Sequence, residues 1–134
     1  MTLIVVAAVM IHQHRVLVTQ RPAGSHLAGM WEFPGGKVEP DEDPRDALVR
    51  ELAEELAIAV SVHQIVDVIF HRYPQKNVLL LFYETSLLPA SPLPQPVGVA
   101  DLCWRAAHEL HELDFPPADV AILQRVRNLL AAAP

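Results

Sequence analysis

The chain carries one cysteine, Cys103, so no disulfide can close within it. That scarcity fits a reducing compartment, and a cytoplasmic protein is expected. Basic residues are also few. Ten Lys and Arg stand against 16 Asp and Glu, for a net charge of −6, which argues against a general nucleic-acid-binding surface. A nucleotide ligand is not excluded, because a metal can neutralise its charge. No apolar run is long. LIVVAAVMI, residues 3–11, is too short to span a bilayer and lacks the basic lead of a signal peptide, so no membrane partner is expected. Only five glycines occur, and two of them, Gly35 and Gly36, are adjacent. Proline is plentiful, with 12, and half of all residues are apolar. The 134 residues therefore read as one folded domain spanning 1–134.

The chain is organised around residues 35–58, GGKVEPDEDPRDALVRELAEELAI. Asp43 suits an N-cap and Pro44 the first helical position. Leu48, Leu52 and Leu56, with Val49 beside them, make one apolar stripe. Glu51, Glu54 and Glu55 share an arc next to it. Like charges at that spacing cost about 0.2–0.5 kcal/mol on an exposed helix, part of which Arg50 can offset. Either the arc is a solvated face or it is a divalent-metal site. Hard oxygen ligands on a rigid helix suit Mg²⁺, which then engages substrate phosphates. Glycines ahead of the helix let backbone approach such a ligand closely.

The stretch resembles the Nudix box, G-x5-E-x7-R-E-U-x-E-E-x-G-U, where U is aliphatic. Gly36, Glu42, Arg50, Glu51, Leu52, Glu54, Glu55 and Ile58 fall at the required spacings. Ala57 stands where the pattern has glycine, at a position that often needs a left-handed backbone.

Residues 3–11 and 15–20 read as strands joined by a polar turn, His12-Gln13-His14. Those two histidines have no further ligand nearby in sequence. Residues 21–30 form a loop, and Trp31-Glu32-Phe33 a short strand. Residues 59–70 are β-prone, with a possible break at His63-Gln64 and a polar turn after. Val78–Thr85 reads as a central strand. Four prolines within 88–97 make a stiff loop. A short strand over 98–104 and a short helix over 106–113 follow. Within that helix, HELHE has the wrong histidine spacing for a zincin site. A final helix carries Val120, Leu123, Val126, Leu129 and Leu130 on one stripe. This order predicts an α/β fold, a mixed sheet between helices. The resemblance implies the same α/β/α sandwich.

Arg21, His26, EFPGGK and DFPPA before the last helix are similar to MutT-type 8-oxo-dGTP diphosphatases, members of that family. The resemblance implies hydrolysis of nucleoside triphosphates to monophosphate and pyrophosphate with Mg²⁺, Mn²⁺ being possible. It implies metal ligation by Glu51, Glu54, Glu55 and the Gly35 carbonyl, with Arg50 orienting the glutamates. Arg21, His26, the backbone from Glu32 through Phe33 and Pro34 to Gly35, and Asp119 would contact nucleotide, Phe33 lining the base pocket. Glu51 or Glu54 would take the proton from the attacking water. MutT-type enzymes also use an acid in the loop before the last strand, where this chain has Gly98.

Asp119 replaces the asparagine of that pattern. Ionised, it only accepts hydrogen bonds, which suits the exocyclic amine of cytosine. Protonated in an apolar pocket, it could also donate to O6 of 8-oxoguanine. It could alternatively cap the last helix. Three functions follow: an 8-oxo-dGTP diphosphatase, a CTP or modified-dCTP pyrophosphohydrolase, or a non-catalytic nucleotide-binding module. The intact acids of the box count against the third.

Overall fold

The computed structural model describes residues 1–132. Its elements are β1 (Thr2–Val9), β2 (Ile11–His12), β3 (Arg15–Gln20), β4 (Trp31–Glu32), β5 (Gly35–Lys37) and α1 (Pro44–Leu56), then β6 (Val60–Arg72), β7 (Asn77–Leu87), β8 (Asp101–Arg105), a 3-10 helix (Ala107–Glu112), α2 (Pro117–Val120) and α3 (Leu123–Ala132). The strands form two four-stranded sheets. One is mixed, in the order β5-β1-β7-β6. In the other, β3 pairs with β2, β4 and β8.

β1 and β7 pair in parallel over eight residues, from Thr2 opposite Asn77 to Val9 opposite Glu84. β7 therefore lies inside the sheet, as its aliphatic sequence implies. β6 pairs with it antiparallel, and the register slips between Val62 and Asp67. That bulge falls on the expected break at His63-Gln64. The turn between β2 and β3 places Gln13 and His14 at φ 52° and 62°. Two left-handed residues give the hairpin turn that matches strand twist.

Alternation along β1 divides the core. Val6 and Ala8, with Met10 beyond, face α1; Ala7 and Val9 face the 3-10 helix, α2 and α3. On the first side Ala47, Leu48, Leu52 and Leu56 of α1 are fully buried against Leu17 and Ile58. On the second, Leu110, Ile122, Val126 and Leu130 pack on Val16, Val18 and Phe82. Each such aliphatic side chain contributes about 1.5–3 kcal/mol. Val49 lies off the stripe, 40% exposed, and Ala47 takes its place. Val120 is likewise outside the core, because the last helix starts only at Leu123.

Ala57 adopts the left-handed conformation, φ 57° and ψ 37°, and its N–H donates to the Ala53 carbonyl. The backbone that the missing glycine would favour is thus formed by alanine, at a cost of about 1 kcal/mol.

Candidate active site

α1 starts where its sequence says. The Asp43 carboxylate accepts from the Arg45 N–H at 2.8 Å, and Pro44 opens the first turn. This sets the acidic arc about two to three turns further along. Arg50 then ties the arc to the loop before it. Its Nε and Nη2 donate to the two Glu42 oxygens at 2.9 and 3.0 Å, and Nη2 also to the Lys37 carbonyl at 3.1 Å. Its Nη1 reaches Glu51 at 3.0 Å and Glu54 at 3.3 Å. The paired guanidinium holds the Glu42 carboxyl at about 2, far below its ordinary value. Arg50 thus has its donors committed to Glu42, Glu51, Glu54 and the Lys37 carbonyl.

The two glycines are needed for different reasons. A Cβ on Gly35 would stand 1.9 Å from the Val6 carbonyl oxygen. A Cβ on Gly36 would meet the Glu51 carboxylate at 2.3–2.7 Å. The backbone of β1 cannot yield, whereas a side chain can. Gly35→Ala is expected to destabilise by more than about 3 kcal/mol, lowering Tm by about 10 °C or more. Gly36→Ala is expected to stay folded while displacing Glu51, costing about 10²-fold in kcat. Thermal melts beside steady-state kinetics separate the two.

In the β1–β5 ladder, Ala8 N–H donates to Pro34 O at 2.8 Å and Val38 N–H to Ile4 O at 2.9 Å. The hydrogen bonds thus fall on alternate pairs and skip Gly35, which lies opposite Ala7. Its carbonyl is turned to the open edge of the sheet. Pro34, in contrast, is buried, spends its carbonyl on Ala8, and does not line the cavity.

That cavity has a volume of about 400 Å³. Glu51, Glu55, Gly35 and Gly36 line it, together with Arg21, His26, Glu32, Phe33 and Asp119. The expected nucleotide and metal residues thus meet in one cleft, with two exceptions, Pro34 and Glu54. The Glu54 side chain is 59% exposed and bonded to Arg50, outside the lining. Among the described residues no three Asp, Glu, His or Cys side chains are gathered closely enough to cage a metal ion. Helix geometry explains this: Glu51 and Glu55 are one turn apart, while Glu54 is rotated toward solvent.

Burial, then the like charges of Glu51 and Glu32, push the Glu55 carboxyl up to about 8. Burial also raises Glu51, against the pull of Arg50. Two hard carboxylates one helical turn apart along a cleft, beside an open carbonyl, fit a divalent cation such as Mg²⁺. That ion is bound by one or two carboxylates plus substrate phosphates rather than by a full protein cage.

Arg21 organises the other part of the cleft. Its Nη1 pairs with both Glu32 oxygens, at 3.2 and 3.0 Å, and its Nε donates to the His26 carbonyl. It holds the 21–30 loop and Glu32 in place. Phe33 stacks on Phe115 with centroids 5.7 Å apart, giving the cleft an apolar wall. Asp119 is 5% exposed and forms part of α2, whose N-cap is Pro116. It caps no helix, contrary to the capping alternative. Burial, then the Glu32 charge, raises its carboxyl well above the ordinary value. Tyr73 and Lys76 also line the cleft, from the turn between β6 and β7. The Tyr73 ring meets His26 edge-on at 5.9 Å. Their sequence reads only as a polar turn, since nothing local says that the hairpin folds back over the loop.

An α/β/α sandwich whose cleft is lined by helix glutamates, a glycine edge and a buried acid defines a recognisable class of fold and site. The chain belongs to the NUDIX domain family, whose profile matches residues 5–125. It is 38% identical over 130 residues to the CTP pyrophosphohydrolase of Escherichia coli K12, covering 97% of this chain and 95% of that one. It is 41% identical over 133 residues to a putative 8-oxo-dGTP diphosphatase 2 of Mycobacterium tuberculosis, covering 96% and 93%. Among solved structures, the E. coli ORF135 protein superposes with a TM-score of 0.81 at 37% identity, covering 99% of this chain and 94% of that one. A MutT NUDIX hydrolase from Burkholderia pseudomallei gives a TM-score of 0.82 at 26% identity, covering 94% and 98%.

Proposed function

We propose that this chain hydrolyses nucleoside triphosphates to the monophosphate and pyrophosphate with Mg²⁺, Mn²⁺ being a possible substitute, and that 8-oxo-dGTP is its preferred substrate. One observation carries the reading: a single cleft joins the Glu51–Glu55 pair to Asp119. Arg21 and Glu32 line the same cleft as Glu55 and Asp119. A triphosphate at the glutamates thus leaves its base against Asp119 and Phe33.

Phosphoryl substitution needs positioning and charge neutralisation more than covalent chemistry. Glu51, Glu55 and the Gly35 carbonyl would hold the cation, which when bound supplies neutralisation of phosphate charge and a more acidic water. Arg50 fixes Glu51. Glu54, exposed at the edge of the arc and held by Arg50 at 3.3 Å, is the group assigned to take the water's proton. Protonated Asp119 both donates and accepts, so it can meet O6 and N7–H of 8-oxoguanine as an amide would. A second reading, a cytosine triphosphate, is favoured by an ionised Asp119 accepting from the exocyclic amine and by the CTP pyrophosphohydrolase relative. The test is pyrophosphate release from a panel of normal and oxidised nucleoside triphosphates with Mg²⁺. Turnover led by 8-oxo-dGTP supports the first reading, turnover led by cytosine nucleotides the second, and none the binding module.

The raised carboxyls also make a pH prediction. Glu55 ionises near 8 in the folded chain against 4.5 in its absence, and Asp119 and Glu32 shift in the same direction. The folded state then binds more protons than the unfolded one. In EDTA, stability from these groups is full below pH 4.5 and lost as pH rises through 8. Tm in chelator is expected to fall by several degrees across that window, and millimolar Mg²⁺ to remove most of the fall at pH 8. A Tm that rises with pH in EDTA would contradict the assignment.

A further inference from the structure

The proline loop is bonded to the end of α1. The Gln95 N–H donates to the Leu56 carbonyl at 3.0 Å, and the Val97 and Gly98 N–H groups both donate to the Glu55 carbonyl at 3.1 and 2.9 Å. A helix C-terminus leaves its last carbonyls without intrahelical partners, and here a segment some forty residues later satisfies two of them. The loop is pinned at both ends. Before the strap, Ala59 N–H donates to Ser91 Oγ at 2.9 Å and Leu88 N–H to the Ala59 carbonyl at 3.0 Å. After it, Val99 is buried among the side chains under α1, and Ala100 N–H donates to Gln20 O at 2.9 Å. Prolines at 89, 92, 94 and 96 leave little freedom between these anchors.

Gly98 lies directly on Glu55. A Cβ there would stand 3.2 Å from the Glu55 Cα, 3.3 Å from its Cγ and 3.6 Å from its Cβ. The φ of Gly98 is outside the left-handed region, so space, not backbone conformation, is what glycine provides. Where the resemblance leads one to expect a loop carboxylate, this chain leaves room for the helix carboxylate instead.

We propose that residues 95–98 are a positioning strap, and that Gly98 is a positioning residue that keeps Glu55 directed into the cleft where a divalent cation binds. This rests on the function proposed above. The strap also secures the last turn of α1 at the point where Ala57, rather than glycine, takes the left-handed bend.

The test is Mn²⁺ binding, read from the spin-resonance signal of free Mn²⁺, with thermal melts in chelator and kinetics on 8-oxo-dGTP. Gly98→Val is expected to weaken Mn²⁺ binding about tenfold, as do changes to groups that orient a metal ligand, with kcat falling in parallel. Gly98→Ala, whose Cβ needs only a few tenths of an ångström, is expected to give a smaller change in the same direction and guards against misfolding of the valine variant. Leu93→Ser, in the same loop at a 78% exposed position, is expected to change nothing. If wild type binds Mn²⁺ and both Gly98 variants bind it equally well, the strap proposal is overturned while the hydrolase reading stands. A lowered Tm with an unchanged Kd overturns it too, as that outcome marks a purely structural role. Absence of Mn²⁺ binding by wild type would overturn the hydrolase reading itself, and the strap with it.

Discussion

Glu54→Gln is expected to lower kcat by about 10³-fold while Tm stays within about 1 °C. Loss of a positioned general base accounts for a change of that size. The structure explains the intact fold: Glu54 buries little, and its one partner, Arg50, is 3.3 Å away and keeps Glu42, Glu51 and the Lys37 carbonyl. An exposed pair of this kind is worth less than about 1 kcal/mol. KM for the nucleotide is expected to hold, since Glu54 is not among the residues that line the cleft. Undiminished pyrophosphate release by the variant would remove Glu54 from the mechanism.

Asp119→Asn is expected to raise the ratio of kcat/KM for 8-oxo-dGTP over CTP about tenfold at neutral pH. Asparagine keeps a donor and an acceptor toward the oxidised purine but loses the charge that strengthens a bond from the cytosine amine. The pH profile is the sharper readout. In wild type the ratio should fall as pH rises and Asp119 ionises; in the variant it should be flat. The variant should also melt higher than wild type at neutral pH, because a buried acid whose carboxyl is raised opposes folding once pH exceeds its unfolded value. An unchanged ratio would mean that Asp119 does not read the base.

Much of this was written in local chemistry. The α1 boundaries, its cap at Asp43 and the left-handed bend at Ala57 follow from short-range rules, and each is where the sequence puts it. Residues 3–11 and 15–20 form strands as read, but the alternation in RVLVTQ implies one wet face, whereas Val16, Leu17, Val18 and Thr19 of β3 are all buried because both of its faces are covered. Arg21, His26, Glu32, Phe33, Gly35, Glu51, Glu55 and Asp119 come together as expected. What the sequence does not carry is long-range placement. Val49 fits the apolar stripe by spacing, yet it is 40% exposed and Ala47, on the other side of Leu48, is buried instead. Glu54 belongs to the acidic arc by helical angle, yet its side chain is 59% exposed and paired with Arg50 at the edge of the arc. Tyr73 enters the site only because β6 and β7 are long enough to carry their turn to the 21–30 loop. The strap over α1 depends on the path of a loop whose composition says stiff but not where.

The most direct test is product analysis by phosphorus NMR of 8-oxo-dGTP and CTP incubated with the protein, with Mg²⁺ and with excess EDTA. The account predicts nucleoside monophosphate and pyrophosphate in equal amounts with Mg²⁺, and no turnover in EDTA. Nucleoside diphosphate with orthophosphate, or equal rates in chelator, would contradict it.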